Sequence, residues 1–370
     1  MSDTHEANVV RVGEILPHPN ADKLEITHVG GYQVVVGKGN FKTGDLAVYI
    51  QPDSVVPQTE PFRFIWADHV GVDGVVPAKR RRITVKRLRK EYSEGLLMPV
   101  SEVLPVNDRC TGWDYPEGQD VAATIGIEHY VPEETANTVA DSIRGPRRKY
   151  PRSLRGWFFF LLRKLGLRGA GGKSYAQEVS FHLPVYHVHA YKNRPHEIPL
   201  GSDVSITEKI HGSNARYVVI DDTFYAGSHE QWKKDGVNVW WNVARQYPEI
   251  EQWCFQNPGL VLYGEVGPTQ KGYPYGTENG EVFFFAFDVY DPKENAWYWP
   301  GNVGFAGTVP ILYMGKLDKA AILYCVDGPS VVPGAKTLRE GIVIRDRNRT
   351  GRKLKVVSNV FYEQEGKNGQ

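Results

Sequence analysis

Short apolar runs that alternate with polar residues fill the first part of the chain. They lie at residues 9–15, 24–29, 32–36 and 46–50, and turn-forming sequences rich in Gly, Pro, Asn and Asp separate them. Two further runs of this kind follow at residues 95–100 and 120–127. Because strands of this number and spacing are typical of small closed sheets, the pattern predicts a five-stranded β-barrel.

The second half of the chain combines further strand patterns with one helical window. The strand patterns lie at residues 204–207, 217–220, 260–265, 282–290, 341–344 and 353–357. Apolar residues at helical spacing occupy 239–255. The pattern predicts a domain of about 190 residues built on antiparallel sheets with helices, so we expect a two-domain protein of the α+β/all-β class.

The length of the chain agrees with more than one domain. It has 370 residues, and a hydrophobic core typically serves about 150 residues. We predict a barrel module at residues 1–132, a linker or insertion at 133–180 and the sheet-rich domain at 181–370. The formal net charge is only +1, so any attraction for nucleic acid must come from local clusters.

The cysteines and the apolar runs indicate where the protein works. Cys110, Cys254 and Cys325 are isolated and odd in number, which supports neither a disulfide framework nor a zinc site. The first residues lack the order of a signal peptide, and the apolar run 157–162, like every other apolar run in the sequence, is far shorter than the roughly 20 residues of a membrane span. We therefore expect an intracellular, cytoplasmic protein that does not cross a membrane.

Two segments are strongly basic. Residues 79–90 contain eight Lys or Arg residues with apolar ones interleaved, which suits either a phosphate-contacting ribbon or a solvated edge strand. Residues 144–173 contain no acid and surround the apolar run 157–162. For this second segment we favour packing on a neighbouring domain or an RNA-facing tether over an interfacial membrane helix, because the apolar run is short.

A lysine lies between two strand patterns in the second half. Lys209 follows the strand at 204–207 and precedes a glycine turn at Gly212. Taken alone, Lys-x-His-Gly is a weak signal, and a surface lysine beside a turn has the same sequence. The motifs further along the chain decide between the two interpretations.

Four more motifs come after Lys209, each at a strand pattern. Gly264-Glu265 places a carboxylate after an apolar run, and Phe287-Asp288 lies in an aromatic strand. Glu340-Gly341 begins the next strand, and Lys353-x-Lys355 places two ammonium groups on one face of a strand, since alternate residues point the same way. Taken singly, the phenylalanines suit a core, Glu340 a pair with Arg339 or Arg345, and the two lysines a solvated face. Their joint occurrence in this order favours a single site.

The series resembles the covalent nucleotidyltransferase superfamily, and in particular its ATP-dependent RNA ligases. In that family the motifs are Lys-x-(Asp or His)-Gly, Gly-Glu, Phe-Asp, Glu-Gly and Lys-x-Lys, and all five occur between residues 208 and 358. Residues 270–276, which come after Gly264-Glu265, are closer to the RNA ligases than to DNA ligases or capping enzymes. The loop at 18–24 resembles the first loop of oligonucleotide-binding (OB) modules in tRNA-binding proteins. The chain thus resembles the branch of RNA ligases whose OB domain precedes the catalytic domain, although an OB barrel also serves as a docking platform without nucleic acid.

The resemblance implies a role for each matching residue. Lys209 carries AMP, and Glu208 lies beside it in the nucleotide site. Glu265 is implied to contact the ribose, and Phe287 to stack on adenine. Glu340 is implied to lie near the lysine and the metal, with Glu265 as a second metal contact, direct or through water. Lys353 and Lys355 are implied to contact phosphates, Asn214 to act in the RNA-adenylate step, and Arg216 to contact phosphate or nucleic acid. One position departs from the pattern, because His229 lies where the family commonly has an arginine that contacts the nucleotide sugar.

The chemistry requires these residue types whatever the family. A lysine attacks the α-phosphorus of ATP only as the neutral amine, so its pKa has to be lowered, and nearby cations have that effect. Carboxylates then hold Mg²⁺ or Mn²⁺, and phosphoryl transfer depends mainly on positioning and charge stabilisation.

The resemblance implies ATP-dependent sealing of RNA. We expect a monomeric enzyme that uses ATP and Mg²⁺ or Mn²⁺ to join a 3′-hydroxyl end of RNA to a 5′-phosphate, at a nick or break in an RNA or RNA/DNA duplex, in RNA repair. One alternative is a capping guanylyltransferase, which uses the same lysine chemistry but carries its OB fold after the catalytic domain. The other alternative is a non-catalytic RNA-binding protein with a degenerate ligase domain.

Overall fold

The computed structural model describes residues 7–71, 73–105, 115–130, 176–269, 273–278 and 281–368. Cys110, the basic segment 144–173, most of the predicted linker and residues 270–272 lie outside these ranges. The described chain forms two compact units. One combines the residues up to 130 with residues 189–197 and those from 356 onwards, and the other combines residues 176–188 with 198–355.

The first unit is built on short antiparallel strands. In chain order they are β1 (Ala7–Arg11), β2 (Leu16–Pro17), β3 (Leu24–Val29), β4 (Tyr32–Gly37), β5 (Leu46–Ile50), β6 (Ser54–Val55), β7 (Lys86–Leu88), β8 (Glu91–Ser93), β9 (Leu96–Pro99), β10 (Glu128–His129) and β11 (His189–Ala190). The first ten of these strands pair in the orders β1-β5-β9, β2-β3-β4, β7-β8 and β10-β6. The predictions at 24–29, 32–36, 46–50 and 95–100 are confirmed to within a residue, whereas the first strand ends at Arg11.

Strand β5 lies between the two hydrophobic clusters of the first unit. Val48 and Ile50 face one cluster, and Ala47 and Tyr49 face the other, so both faces of this strand are buried. That burial explains why 46–50 is a continuous apolar run and does not alternate.

The strand predicted at 120–127 is wrong. Only Asp120 makes a β-bridge, with Asn8, and residues Ala122–Ile125 form a short helix. The Asp120 carboxylate accepts a hydrogen bond from the Ala122 amide at 2.9 Å, and Gly126 ends the helix at φ +83°. Both are local signals that stop a strand and begin and end a turn of helix.

The helices of the first unit are short except for the last one. They are α1 (Arg63–Trp66), α2 (Val100–Val103), α3 (Ala122–Ile125) and the C-terminal helix Asn359–Asn368, with 3₁₀ turns at Glu60–Phe62, Ala67–His69 and Ala78–Arg80. Glu94 joins three segments of this unit, because its carboxylate accepts hydrogen bonds from the Gln33 amide, from Lys192 and from Asn359.

The second unit contains the remaining ten strands. They are β12 (Asp203–Lys209), β13 (Ser213–Ile220), β14 (Thr223–Gly227), β15 (Trp232–Lys233), β16 (Val261–Gly267), β17 (Phe283–Asp291), β18 (Ala296–Tyr298), β19 (Ile311–Lys316), β20 (Gly341–Asp346) and β21 (Lys353–Val357). The β12 sheet has the order β21-β20-β12-β19, and the β13 sheet has the order β15-β14-β13-β16-β17-β18. All six strand predictions for this half are confirmed.

The helical window at 239–255 forms two helices. Pro248 separates α4 (Val239–Gln246) from α5 (Pro248–Gln256), since proline cannot donate the amide that would continue α4. The Asn238 side chain caps α4 by accepting a hydrogen bond from the Trp241 amide at 3.1 Å. Helix α4 packs on β14 and β16, α5 packs on β13 and β14, and their buried side chains complete the largest hydrophobic cluster.

Two more helices come next in chain order, α6 (Lys319–Val326) and then the C-terminal helix of the first unit, α7 (Asn359–Asn368); a 3₁₀ turn lies at Pro300–Val303. None of the helices in the described ranges has both the length and the apolar character of a membrane span.

Candidate active site

The loop at residues 210–212 carries the chain from one sheet to the other. Lys209 is the last residue of β12, and Ser213 is the first residue of β13. A Cβ atom on Gly212 would lie 2.5 Å from the Val266 carbonyl oxygen, so only glycine fits where the loop passes β16. The predicted position of Lys209 at a strand end is confirmed.

The strand registers bring the predicted motifs to this loop. Lys209 pairs with Gly341 across β12 and β20, which places Glu340 beside the lysine. Asn214 pairs with Glu265 across β13 and β16. Residues 132 and 51 positions apart in sequence therefore meet through ladder pairings whose register fixes their side chains.

Glu340 forms an ion pair with the lysine. Its Oε1 lies 2.6 Å from Lys209 Nζ, and its Oε2 lies 3.2 Å from His211 Nδ1. Burial by itself raises the pKa of Glu340, but Lys209 and His211 lower it to about 2. Glu340 therefore stays ionised at neutral pH. It pairs neither with Arg339, which donates to the Cys325 carbonyl at 2.8 Å, nor with Arg345.

A second carboxylate, that of Glu265, lies close to the same lysine and has a different pKa from that of Glu340. Burial raises the pKa of Glu265 to about 7, and the neighbouring Glu340 charge adds to this effect, although Lys209 and His211 oppose it. The backbone of Gly212 hydrogen-bonds to the Glu265 carboxylate. Two carboxylates with well-separated pKa values beside one amine are a common feature of catalytic sites.

His211 is held from two further sides. Its backbone amide donates to the Tyr275 hydroxyl at 2.9 Å, and its ring contacts the Tyr273 ring at 4.5 Å between centroids. The tyrosine-rich segment at 273–276 therefore fixes the loop between the two sheets. Because residues 270–272 lie outside the described ranges, only this part of the predicted motif is placed.

A cavity of ≈ 270 Å³ opens beside Lys209. Of the residues predicted for the site, Glu208, Lys209, Asn214, Glu265, Phe287 and Lys355 line it, as does His229. The cavity combines an aromatic ring, a reactive amine, carboxylates and a further lysine, which are the groups needed to hold a purine nucleotide phosphate.

Residues outside the predicted set complete the lining. They are Tyr186, His187, Val188, Thr207, Ile210, Val309, Val343 and Arg345. The alternation of β20 predicts part of this set, because Val343 and Arg345 lie on one face of that strand. Tyr186 comes from an irregular segment without periodicity, so no sequence pattern indicates it.

A buried charged cluster supports the aromatic wall of the cavity. The Asp288 carboxylate, which is 0% exposed, accepts hydrogen bonds from the Tyr186 hydroxyl, from Arg345 and, at 2.7 Å, from Lys353 Nζ. Arg345 also donates to the Phe287 carbonyl oxygen at 2.7 Å. The rings of Tyr186 and Phe287 lie 4.5 Å apart between centroids. This Asp288 cluster therefore fixes both the backbone and the ring of Phe287.

Three predicted site residues are not part of the cavity lining: Glu340, which forms the ion pair with Lys209, and Lys353 and Arg216. Lys353 is buried in the Asp288 cluster, 3.8 Å from the centroid of the Trp297 ring. Burial lowers its pKa to about 8, against the opposing effect of Asp288. Arg216 is also buried and stacks on the Trp232 ring at 4.4 Å, and burial lowers its pKa. Phosphate contacts by Lys353 and Arg216 stay predictions.

The arrangement of a strand-end lysine, two carboxylates and a stacked phenylalanine can be compared with known proteins. The family model of RNA ligase matches residues 202–358, which include every strand that carries these groups. Over these residues the chain is therefore similar to the RNA ligase family. A second family model, described as an OB-fold domain, matches residues 6–100. No curated protein matches the sequence of the ligase chain.

Solved structures agree with both assignments. The chain is similar to an RNA ligase of Naegleria gruberi with PPi, with a TM-score of 0.73 and 23% identity over 98% of this chain and 99% of that one. It is also similar to two mutants of that enzyme. One, with ATP and Mn, has a TM-score of 0.73 and 23% identity over 97% of this chain and 98% of that one; the other, with AMP and Mn, has a TM-score of 0.72 with the same identity and coverage. At this identity the likeness establishes the fold.

These comparisons bear out the resemblance carried by the sequence motifs. The predicted family, its enzyme class of RNA ligase and the fold class of an OB module followed by an antiparallel-sheet catalytic domain are confirmed. The roles of the individual site residues stay predictions, because the comparisons are not made residue by residue.

Proposed function

We propose that the ligase domain uses ATP to join a 3′-hydroxyl end of RNA to a 5′-phosphate end, at a nick or break in a duplex, through a lysyl-AMP on Lys209. The observation that carries this proposal is the position of Lys209 Nζ, 2.6 Å from Glu340 and beside the cavity that Phe287 and Lys355 line. The amine, the base-stacking ring and a phosphate-binding cation meet in one place.

The first step consumes ATP. The neutral Lys209 amine attacks the α-phosphorus, a phosphorus–nitrogen bond forms, and the bond to the β-phosphate oxygen breaks with release of pyrophosphate. Phe287 stacks on the base, and Lys355 meets the α-phosphate charge. Glu340 orients the amine until the proton leaves, since an ammonium has no lone pair for the attack.

The second and third steps transfer AMP to RNA and then displace it. A 5′-phosphate oxygen attacks the phosphorus of lysyl-AMP, which frees Lys209 and leaves an RNA with a 5′–5′ pyrophosphate link to AMP. A 3′-hydroxyl then attacks the 5′-phosphorus, a phosphodiester forms and AMP leaves. Asn214 lines the cavity beside Glu265, and this position supports a proposed contact with the RNA-adenylate.

The carboxylates fit a divalent cation shared with the nucleotide. The described residues contain no group of three or more His, Cys, Asp or Glu side chains that would hold a metal by themselves. Glu340 and Glu265, directly or through water, therefore supply part of a site that the triphosphate completes, as is usual for Mg²⁺ and also suits Mn²⁺. When bound, the cation offsets the charge of the leaving pyrophosphate. The Glu265 carboxyl, whose pKa burial raises to about 7, is the group that such a charge would ionise.

Labelling and sealing assays test the proposal together. The purified chain is incubated with Mg²⁺ or Mn²⁺ and with α-labelled ATP or GTP, and then with a nicked duplex whose 3′-hydroxyl strand is RNA. We expect covalent labelling from ATP and a sealed product. Labelling from GTP alone would favour the capping enzyme, and no covalent label with either nucleotide would favour a non-catalytic RNA-binding protein. Lys293→Ala, which removes an exposed lysine of the same unit, is the matched control for Lys209→Ala.

A further inference from the structure

A tight hairpin in the first unit carries four of the eight basic residues of the segment 79–90. Strands β7 and β8 pair with Leu88 opposite Glu91, so Arg89 and Lys90 alone form the connection. Their φ angles are +48° and +78°, which define a turn with two left-handed residues. Such turns favour Asn and Gly, because a side chain with a Cβ is strained there. Two long cationic side chains thus occupy positions that the fold alone would give to other residues.

The basic segment has an inward and an outward part. Arg81 donates from Nε to the Val76 carbonyl at 3.0 Å, and Arg82 forms an ion pair with Asp53 at 2.6 Å. Ile83 and Val85 are buried beside them. From Lys86 to Lys90 every residue is exposed. The first part therefore supports the fold, and the second presents charge to the solvent.

Contacts at its base hold the hairpin in place. The ring of the buried His18 lies with Nε2 3.2 Å from the Leu88 carbonyl oxygen. Arg87 closes the turn by donating from Nε to the Lys90 carbonyl at 3.2 Å, and its guanidinium lies 5.4 Å from the centroid of the Tyr92 ring. The side chains of Lys86, Arg89 and Lys90 consequently project from a rigid support, which lowers the entropy cost of binding an anion.

We propose that this hairpin, residues 86–91, contacts the phosphate backbone of the RNA substrate. The inference rests on the proposed function, since an RNA ligase has to hold a polyanion whose sequence varies. Exposed cations without base-reading groups suit phosphates, and strain kept at a surface turn points to a role in binding. OB modules commonly bind oligonucleotides through loops of this kind.

One variant separates binding from folding. Arg89→Asn with Lys90→Gly removes two positive charges and installs the residue pair that this turn prefers, so the melting temperature is expected to stay equal or to rise. The control Lys42→Asn with Arg63→Asn removes two exposed charges elsewhere in the same unit. Both pairs are made in a Lys209→Ala background, so that binding to a nicked RNA duplex is measured without turnover.

The salt dependence gives the expected result. Loss of two phosphate contacts makes the slope of log Kd against log salt shallower by about 1.4 to 1.8. The ratio of the Kd of the hairpin variant to the Kd of the parent should therefore be about tenfold smaller at 200 mM salt than at 50 mM salt. The control should keep the parental slope. An unchanged slope in the hairpin variant, or an equal change in the control, would overturn the proposal.

Two further readouts distinguish the possible failures. The hairpin variant with Lys209 restored should form lysyl-AMP at the normal rate, because its changes lie outside the catalytic unit. If the parental chain forms no lysyl-AMP, the proposed function fails while the RNA affinity still tests the hairpin. If the hairpin variant binds RNA normally but loses binding to phosphatidylserine vesicles, the hairpin is a lipid-binding element and the proposal is wrong.

Discussion

Replacing Asp288 by Asn should destabilise the ligase domain more than any other single substitution near the cavity. The carboxylate is fully buried and offsets two buried cations, Arg345 and Lys353. The Asn side chain has nearly the same size, so packing is retained while the negative charge is lost. The Lys353 ammonium and the Arg345 guanidinium then remain without a counter-charge in a low-dielectric site.

The magnitude follows from the pairing. Breaking a buried ion pair by removing one partner costs about 3–5 kcal/mol, which lowers the melting temperature of a unit of this size by roughly 6–20 °C. Lys353→Met should cost less, about 1.5–3 kcal/mol, because Asp288 keeps its hydrogen bonds from Arg345 and Tyr186. The double variant should be more stable than the sum of the two losses by at least about 1 kcal/mol, since part of the Asp288→Asn cost is the unpaired Lys353.

Thermal unfolding of the parent, Asp288→Asn, Lys353→Met and the double variant gives a double-mutant cycle. Labelling with ATP supplies a functional readout. Because Arg345 links the Asp288 cluster to the Phe287 carbonyl, Asp288→Asn should also raise the ATP concentration needed for half-maximal lysyl-AMP formation. Additive losses within about 0.5 kcal/mol, or an Asp288→Asn protein as stable as the parent, would refute the reasoning.

Three further predictions concern the cavity. Glu265→Gln removes a carboxyl group whose pKa is about 7 in the folded protein, above its unfolded value of 4.5. Between pH 4.5 and pH 7 the folded protein binds more protons than the unfolded chain, so the stability of the parent falls as pH rises through this window. Without metal, the stability of Glu265→Gln relative to the parent should thus rise by about 3 kcal/mol from pH 4.5 to pH 8, and a constant difference would contradict the pKa shift. Lys209→Ala should form no lysyl-AMP yet seal a pre-adenylated strand at least in part; equal loss of both activities would contradict a role confined to the first step. Phe287→Ala should raise the KM for ATP about 5- to 150-fold and Phe287→Tyr should not, as measured by labelling at varied ATP, because stacking contributes about 1–3 kcal/mol.

Strand patterns predicted where the candidate site residues lie along the chain. The strand predicted at 204–207 stops two residues before Lys209, and the structure extends β12 to that residue. The pairing of Lys209 with Gly341 joins segments 132 positions apart, and no local pattern specifies such a register. The family resemblance supplied the link that periodicity lacks.

The differences between the predicted and the observed site have physical reasons. Lys353 and Lys355 share a strand face, as predicted, but two residues along a strand separate them by roughly 7 Å, so one lies in the Asp288 cluster and the other at the cavity. Tyr186 comes from a segment with no regular period. The predicted strand at 120–127 failed because the hydrogen bond from the Ala122 amide to the Asp120 side chain and the left-handed Gly126 determine a helical turn more strongly than the apolar run favours a strand.

The central claim is that Lys209 is the residue that becomes adenylylated. The most direct measurement is mass spectrometry of peptides from the chain after incubation with ATP and Mg²⁺ or Mn²⁺. We expect one AMP adduct on the peptide that contains Lys209, absent from Lys209→Arg and unchanged in Lys293→Ala. An adduct on another residue, or one that persists in Lys209→Arg, would contradict the account.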